Sequence, residues 1–300
     1  MRSLLTFRAV NFQVLGIPAY FFCALTGFTL TTCVYIMFIS EKKFDISQST
    51  KIFFISIIGM ILGAKVFGFL TGIYRSIGLG KAVTVDSLLD TGIVYYGGLL
   101  GYILSYMLCL KSKRCTLDKK VLNIVAVCIP LFHSIARVGC FLSGCCFGKI
   151  CKNIFAIKYT TIIEGRIDEN NRYPVQIIEA LFEVSIFIYL VTMLKGKEWR
   201  RKALLFRYLF IYSLGRFGIE FLRGDGRRGI ICGISFGQCI SVLIWVILIG
   251  YYVSKHVNKR QEDCNGKNSS VWHIDLMSYQ EDQKEKKLQI RVHSLIGNVK

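Results

Sequence analysis

A bundle of about seven transmembrane helices is the fold class that this 300-residue sequence predicts, and three observations predict it. Hydrophobic residues make up 53% of the chain and its mean hydropathy is +0.47, whereas a soluble domain averages about 45–50% apolar residues even with glycine counted. Uncharged apolar runs of about 20 residues recur along it, the length needed to cross a hydrocarbon core of roughly 30 Å. The charges collect in short islands between those runs. Together these describe an all-α integral membrane protein.

Taken in order, the spans are expected at about residues 17–40, 52–74, 92–110, 121–138, 175–194, 203–222 and 234–254. The uncharged stretch 9–40 is longer than one span, so Asn11–Gly16 reads as a short interfacial or re-entrant lead-in ending near Pro18. Three basic islands occupy alternate loops: Lys42, Lys43 and Lys51 in 41–51, KSKRCTLDKK at 111–120 and KGKEWRRK at 195–202. Lys255, Lys259 and Arg260 follow the last span. In a seven-span chain these four regions share one side, and the positive-inside rule makes that side cytoplasmic. The N-terminus and the loops 75–91, 139–174 and 223–233 then face outward, with the C-terminus in the cytoplasm. Arg223, Arg227 and Arg228 are unusual for an outer loop and suit lipid head groups, an anionic ligand or plain solvation. Residues 1–254 form the helical domain. Residues 255–300 are polar, charged in both senses and without strong periodicity, which predicts a largely disordered cytoplasmic tail.

The formal charge of +19 raises nucleic acid as a partner, but Lys and Arg sit beside the spans as orientation signals do, which argues against it. The N-terminus carries Arg2 and Arg8 but no clear cleavage site, so it is not read as a secretory signal. Of the 12 cysteines, Cys23, Cys33, Cys109, Cys128 and Cys239 read as small apolar fillers in helices.

Ionisable groups inside spans are costly unless paired or hydrated, so each is a candidate for function. Lys65 lies in span 2 among Gly63, Ala64, Gly68 and Gly72. YYGGLLG at 95–101 puts paired glycines next to tyrosines, which allows close approach of a ligand or a helix. In HSIARVGCFLSGCCFG, 133–148, His133 and Arg137 are four apart and share a helical face. Cys140, Cys145, Cys146 and Cys151 follow as C-x4-C-C-x4-C; a metal cluster would ordinarily show a C-x2-C knuckle, and a disulfide is at least as consistent. In LGRFGIEFLRGD, 214–225, Arg216 and Glu220 have the spacing of an ion pair, and Arg223 is about one turn on. Two or three guanidiniums and a lysine near one leaflet suit a phospholipid phosphate, because arginine binds phosphate in bidentate fashion and stays charged.

These residues resemble, in order, the motifs of the prolipoprotein diacylglyceryl transferase family of bacterial inner membranes. Tyr20 in IPAYFF resembles its first-span tyrosine, GAKVFG at 63–68 its GAR-type segment and YGGLLG at 96–101 its HGGLIG. Arg137–Gly148 resembles the signature R-x-G-N-F-x-N-x-E-x-x-G. RYPVQIIEA at 172–180 resembles H-P-S-Q-L-Y-E, GRFGIEFLRGD at 215–225 the late R-F-x-x-E-F-x-R segment and ISFGQCIS at 234–241 the M-G-Q-x-L-S segment. The resemblance implies transfer of the diacylglyceryl group of phosphatidylglycerol to the lipobox cysteine of a prolipoprotein, with loss of glycerol phosphate and no metal or cofactor. By the same resemblance Arg137 holds the lipid phosphate, and Arg216 with Glu220 forms a second essential polar element. Gly97, Gly98, Gly139 and Gly148 would shape the cavity, with Tyr20, Lys65, Cys140, Gln176 and Arg223 beside the substrates.

Tyr96 stands where the family has its histidine, and Cys140, Ser143 and Cys145 replace the signature's Asn, Asn and Glu. A tyrosine, with a reference pKa of about 10, is a poor base at neutral pH, whereas a thiol nucleophile at about 8.5 needs little help. The expectation is that Arg137 and Arg216 activate the incoming thiol by their field, with His133 as the remaining base and Tyr96 positioning. Two other readings fit the residues: a paralogue with the same lipid cavity and another acceptor, and a non-enzymatic phospholipid binder.

Overall fold

The computed structural model describes residues 5–10, 12–78, 80, 82, 94–112, 115–163, 166–201, 203–224, 230–231 and 233–254. Residues 1–245 form one compact unit; of a second, 246–300, the described part is the helical stretch 246–254. The expectations for the tail beyond 254 and for Arg227 and Arg228 lie outside the described residues.

Seven helices of 17 residues or more lie among the described residues: α1 (Ala19–Glu41), α2 (Ile46–Gly78), α3 (Tyr95–Lys111), α4 (Leu122–Leu142), α5 (Val175–Lys195), α6 (Leu204–Glu220) and α7 (Phe236–Ser254). Five of them, α1, α2, α4, α5 and α7, are long and apolar enough to cross a membrane. α3 and α6 have 17 residues each. The chain is thus a mostly helical, multi-pass membrane protein.

Local chemistry sets the ends. Pro18 fixes an extended backbone just before α1, and Asp45 Oδ1 accepts from the Gln48 amide in the first turn of α2. α7 opens with a reciprocal capping box: the Ser235 amide donates to Gln238 Oε1, and the Gln238 amide donates to Ser235 Oγ. The expected re-entrant lead-in is, in its described part, a tight hairpin of β2 (Gln13–Val14) and β3 (Ile17–Pro18). Its turn residues Leu15 and Gly16 both have positive φ, as a two-residue hairpin turn requires.

The two ends of the unit differ in chemistry. At one end the three basic islands meet: Thr116 donates to Gln48 Oε1, Arg200 pairs with Asp118 at 3.3 Å, and Lys42 lies 5.5 Å from the Trp199 ring. Asn123 ties the start of α4 to this end, donating to Trp199 O and accepting from the Leu204 amide. At the other end β1 (Leu5–Arg8) pairs in parallel with β4 (Ile157–Ile163), which pairs antiparallel with β5 (Arg166–Arg172). The long loop 139–174 therefore carries a hairpin, and Phe7, Phe141, Phe147 and Tyr159 pack beneath it as a small core of their own.

Candidate functional site

α4, α5 and α6 meet along a seam filled with ionisable side chains. α4 contributes His133 and Arg137, one turn apart; α5 contributes Glu179 and Glu183, also one turn apart; α6 contributes Arg216 and Glu220. Each pair shares a helical face because 3.6 residues complete a turn. His133, Arg137, Glu179, Glu183 and Arg216 are all buried.

Glu179 is the centre of the seam. Its Oε2 lies 3.1 Å from Arg137 Nε and 3.6 Å from Arg216 Nη1, so one carboxylate oxygen serves two guanidiniums. Arg216 Nη2 reaches Glu220 Oε2 at 2.5 Å, and Arg223 Nε stands 3.8 Å from the same oxygen. A second branch runs through His133. Arg137 Nε donates to His133 Nε2 at 3.0 Å, and His133 Nδ1 is 2.7 Å from Glu183 Oε1. Arginine can only donate, so Nε2 is the acceptor and the imidazole proton sits on Nδ1, directed at Glu183. Bare charges at this depth would cost several kcal/mol each; the alternating cations and carboxylates are what make their burial tolerable.

Aromatic rings wall the histidine. Tyr95 stacks on His133 with centroids 3.6 Å apart and planes 9° from parallel, and Tyr212 meets the imidazole edge-on at 5.4 Å. The Tyr95 hydroxyl bonds that of Tyr208 at 2.6 Å. Tyr96 turns the other way: its hydroxyl is 2.7 Å from Ser241 Oγ on α7.

The signature segment closes α4 in a tight turn. The Cys145 amide donates to Cys140 O and the Gly144 amide to Phe141 O, with Gly144 at φ +74°. This is the Schellman arrangement, and it folds Cys145 back over Cys140. Cys146, itself at φ +58°, completes a group in which the three sulfurs lie within 4.8 Å of one another. Gln176 Nε2 donates to Cys145 O at 2.8 Å, and Thr161 Oγ1 to Gly144 O at 2.7 Å, so α5 and β4 both brace the turn. A Cβ on Gly144 would stand 2.5 Å from Thr161 Oγ1. Hydrogen bonding within the trio pushes the Cys146 thiol below the usual thiol range and the Cys145 thiol above it, so the three share one low-lying ionisation, and Arg223 and Arg137 favour the ionised form of Cys146.

Most of the other expected residues gather around this turn. Gly139 seats α4 on α1, where a Cβ would come 2.9 Å from Cys23 Cβ, with Tyr20 adjoining. Gly148 forms a bridge with Arg223, reinforced by Lys149 N to Leu222 O and Gly224 N to Phe147 O, which brings Arg223 to the signature segment. A Cβ on Gly148 would stand 2.3 Å from Tyr173 O. Gly97 faces a different neighbour: a Cβ there would meet Gly63 O at 2.3 Å, so it packs α3 on α2, and Gly98 lies against Met60 and Ala64 of the same helix. Lys65 is exposed on α2 and joins none of the ion pairs described.

Sequence reasoning missed Glu179, Glu183, Tyr95 and Tyr212 as site residues. The signal for the two glutamates was present, since both are ionisable groups within an apolar run, spaced i, i+4.

Comparison with known proteins places the chain in a family. The family model for prolipoprotein diacylglyceryl transferase matches residues 8–254. The phosphatidylglycerol–prolipoprotein diacylglyceryl transferase of Clostridium tetani is 29% identical over 251 residues, 82% of this chain and 96% of that protein. A second such transferase, of Clostridium perfringens, is 28% identical over 84% of this chain and 96% of its own length. The Campylobacter hominis transferase is 27% identical over 88% and 96%. With the family model matching residues 8–254, most of its length, the chain belongs to the prolipoprotein diacylglyceryl transferase family.

Proposed function

We propose that this protein moves the diacylglyceryl group of phosphatidylglycerol onto the lipobox cysteine thiol of prolipoproteins, forming a thioether and releasing glycerol phosphate. It does so in the bacterial inner membrane with all seven helices spanning, the sheet end outside and the basic loops and C-terminus in the cytoplasm. The single observation that carries the reading is Glu179 bridging two buried arginines, Arg137 and Arg216. Two guanidiniums repel, and the shared carboxylate holds both beside one oxygen. Arg137 meets His133 and Glu179 through Nε, and its terminal nitrogens would grip the lipid phosphate.

The acceptor thiolate attacks the glyceryl carbon that carries the phosphoester. The C–S bond forms as the C–O bond breaks, and the departing phosphate keeps the electron pair. Arg137 and Arg216 stabilise the charge that grows on it, a fixed-dipole effect commonly worth about 10²–10³ in rate for each donor. With Nε2 engaged by Arg137 and Nδ1 by Glu183, His133 serves as a positioning group for Arg137. Tyr96 and Ser241 fix α3 against α7. Gln176, Gly139 and Gly148 shape the acceptor end through the turn at Cys140–Cys146, and Arg223 draws anionic head groups toward it.

The test is transfer of labelled diacylglyceryl from phosphatidylglycerol vesicles to a lipobox peptide by the purified protein, together with rescue of a strain depleted of its own transferase. A peptide with serine for the lipobox cysteine should accept nothing. No transfer and no rescue by well-inserted protein would overturn the reading. Cys140 and Cys145 at signature positions favour one second reading, a different thiol acceptor for the same lipid; transfer to other thiols but not to lipobox peptides would select it.

A further inference from the structure

The thiol group at the end of α4 is the feature that neither the arginine seam nor the helix packing explains. Three cysteines within seven residues are brought together by backbone geometry: the amide of Cys145 on Cys140 O, the left-handed Gly144 and the left-handed Cys146. Their sulfurs lie within 4.8 Å of one another. Three thiolates at about 2.3 Å from one tetrahedral ion stand roughly 3.8 Å apart, so side-chain rotation of the order of an ångström would complete the set. Gln176 and Thr161 hold the turn by its carbonyls.

We propose that Cys140, Cys145 and Cys146 bind one soft divalent cation, zinc above all, as three thiolates, and that the fourth coordination position receives the acceptor thiol. Thiolate sulfur selects such ions, and three protein ligands with one open position is the arrangement of catalytic rather than structural zinc. The charge fits. Three thiolates and a dication carry one net negative charge, and Cys146 lies in the field of both Arg223 and Arg137. The second part rests on the proposed transfer reaction. A metal-bound thiol gives up its proton outright; the proton passes to solvent, the sulfur keeps its electron pair, and that pair forms the C–S bond as the C–O bond to phosphate breaks. A metal here supplies thiol activation in a chain whose buried histidine, His133, has both ring nitrogens engaged.

The experiment uses the full-length protein in detergent or nanodiscs, reduced, stripped with chelator and reloaded with Zn²⁺ or Co²⁺. About one metal per chain and a sulfur-to-cobalt charge-transfer band are expected. Adding a lipobox peptide should strengthen that band by about one third, from three thiolates to four, while the peptide with serine should not. Cys146→Ser and Cys145→Ser should weaken binding on the order of 100-fold, and Cys128→Ser, elsewhere in α4, should leave it unchanged. Equal uptake by a Cys140→Ser, Cys145→Ser, Cys146→Ser triple variant with an unaltered melting profile overturns the site, as does failure of the wild type to bind. A cobalt spectrum blind to the lipobox thiol overturns the role in activation, and so does full transfer by metal-free protein, which would leave the transferase reading intact. A metal-loaded protein with the expected spectra but no transfer would sink the transferase reading and keep the site.

Discussion

Two helix seams in this protein are built on opposite principles. Between α2 and α3 the backbones themselves come close: Cβ atoms placed on Gly59, Gly63, Gly97 and Gly101 would come within 2.2–2.7 Å of the opposing backbone carbonyls. Between α4, α5 and α6 the seam is made of arginine, glutamate and histidine. In lipid, helices gain little from hydrophobicity alone, so close backbone approach stabilises one seam by dispersion. The other gives up that gain and keeps groups that hydrocarbon opposes. The contrast teaches where to look for function: the glycine seam explains how the bundle holds, and the charged seam, whose arginines and carboxylates satisfy one another, is the place where an anionic ligand could enter an existing ion-pair network.

The largest effect that separates the seams should come from the arginines. Arg137→Ala should lower transfer by about 10³ or more at matched amounts of folded protein, and Arg137→Lys or Arg216→Lys by about 10², because lysine keeps the charge and loses the planar fork. The measurement is initial rate with labelled phosphatidylglycerol. Retention of more than a tenth of wild-type transfer by Arg137→Ala would make the charged seam structural and erase the contrast. Glu179→Gln should fall nearly as far, since it frees two buried cations at once.

On the glycine seam the readout changes from rate to stability. Gly101→Val puts a branched side chain where Gly59 O already lies 2.2 Å from a modest Cβ, and should cost about 2–4 kcal/mol in thermal or denaturant unfolding in detergent. Gly218→Ala, with nothing within 4 Å, is the control and should shift the midpoint little. Activity per folded molecule should survive both. A Gly101→Val protein that melts like wild type but transfers poorly would mean that the α2–α3 seam belongs to the site after all.

Much of the helical frame was legible because hydrocarbon imposes its length on the sequence: α1, α5 and α7 begin and end within about two residues of the apolar runs at 17–40, 175–194 and 234–254. α2 outruns its expected span by six residues at Ile46 and four at Gly78, since polar ends such as Gln48 and Arg75 continue a helix that apolarity alone would stop. The site was half legible. His133, Arg137, Arg216 and Glu220 announce themselves by i, i+4 spacing, but pairing across helices depends on how α5 is rotated, and Glu179 was passed over inside a motif that contained it. The thiol group was illegible for a different reason. C-x4-C-C matches no metal knuckle, and only a Schellman turn at Gly144 brings the first sulfur to the others. The hairpin of β4 and β5 was hidden because RIDENNR presents too little apolar alternation to read as a strand without its partner IKYTTII.

A smaller effect tests the second branch of the charged seam. Glu183→Gln keeps an oxygen near His133 Nδ1 and removes the charge, and should reduce kcat about tenfold with KM nearly unchanged. If His133 acts by steering Arg137, then His133→Gln and Glu183→Gln are not additive, and their double-mutant cycle should show a coupling of at least about 1 kcal/mol. Additive losses would separate the histidine from its carboxylate and leave Arg137 positioned by Glu179 alone.

The smallest effect is expected at Lys65, and it tests how far the site extends beyond the charged seam. The glycine face of α2 is committed to α3, and Lys65 lies exposed elsewhere on the same helix. From Lys51 to Lys65 the helix rises about 21 Å, and two snorkelling side chains of that spacing can reach opposite edges of a hydrocarbon layer. On that account the ammonium serves the membrane interface. Lys65→Ala should change the rate and the KM for phosphatidylglycerol by less than about threefold, a difference below roughly 0.7 kcal/mol. A tenfold rise in KM, restored by Lys65→Arg, would instead make the outer face of α2 part of the path by which lipid reaches Arg137 and Arg216, and the contrast between the two seams would then be one of entry against chemistry.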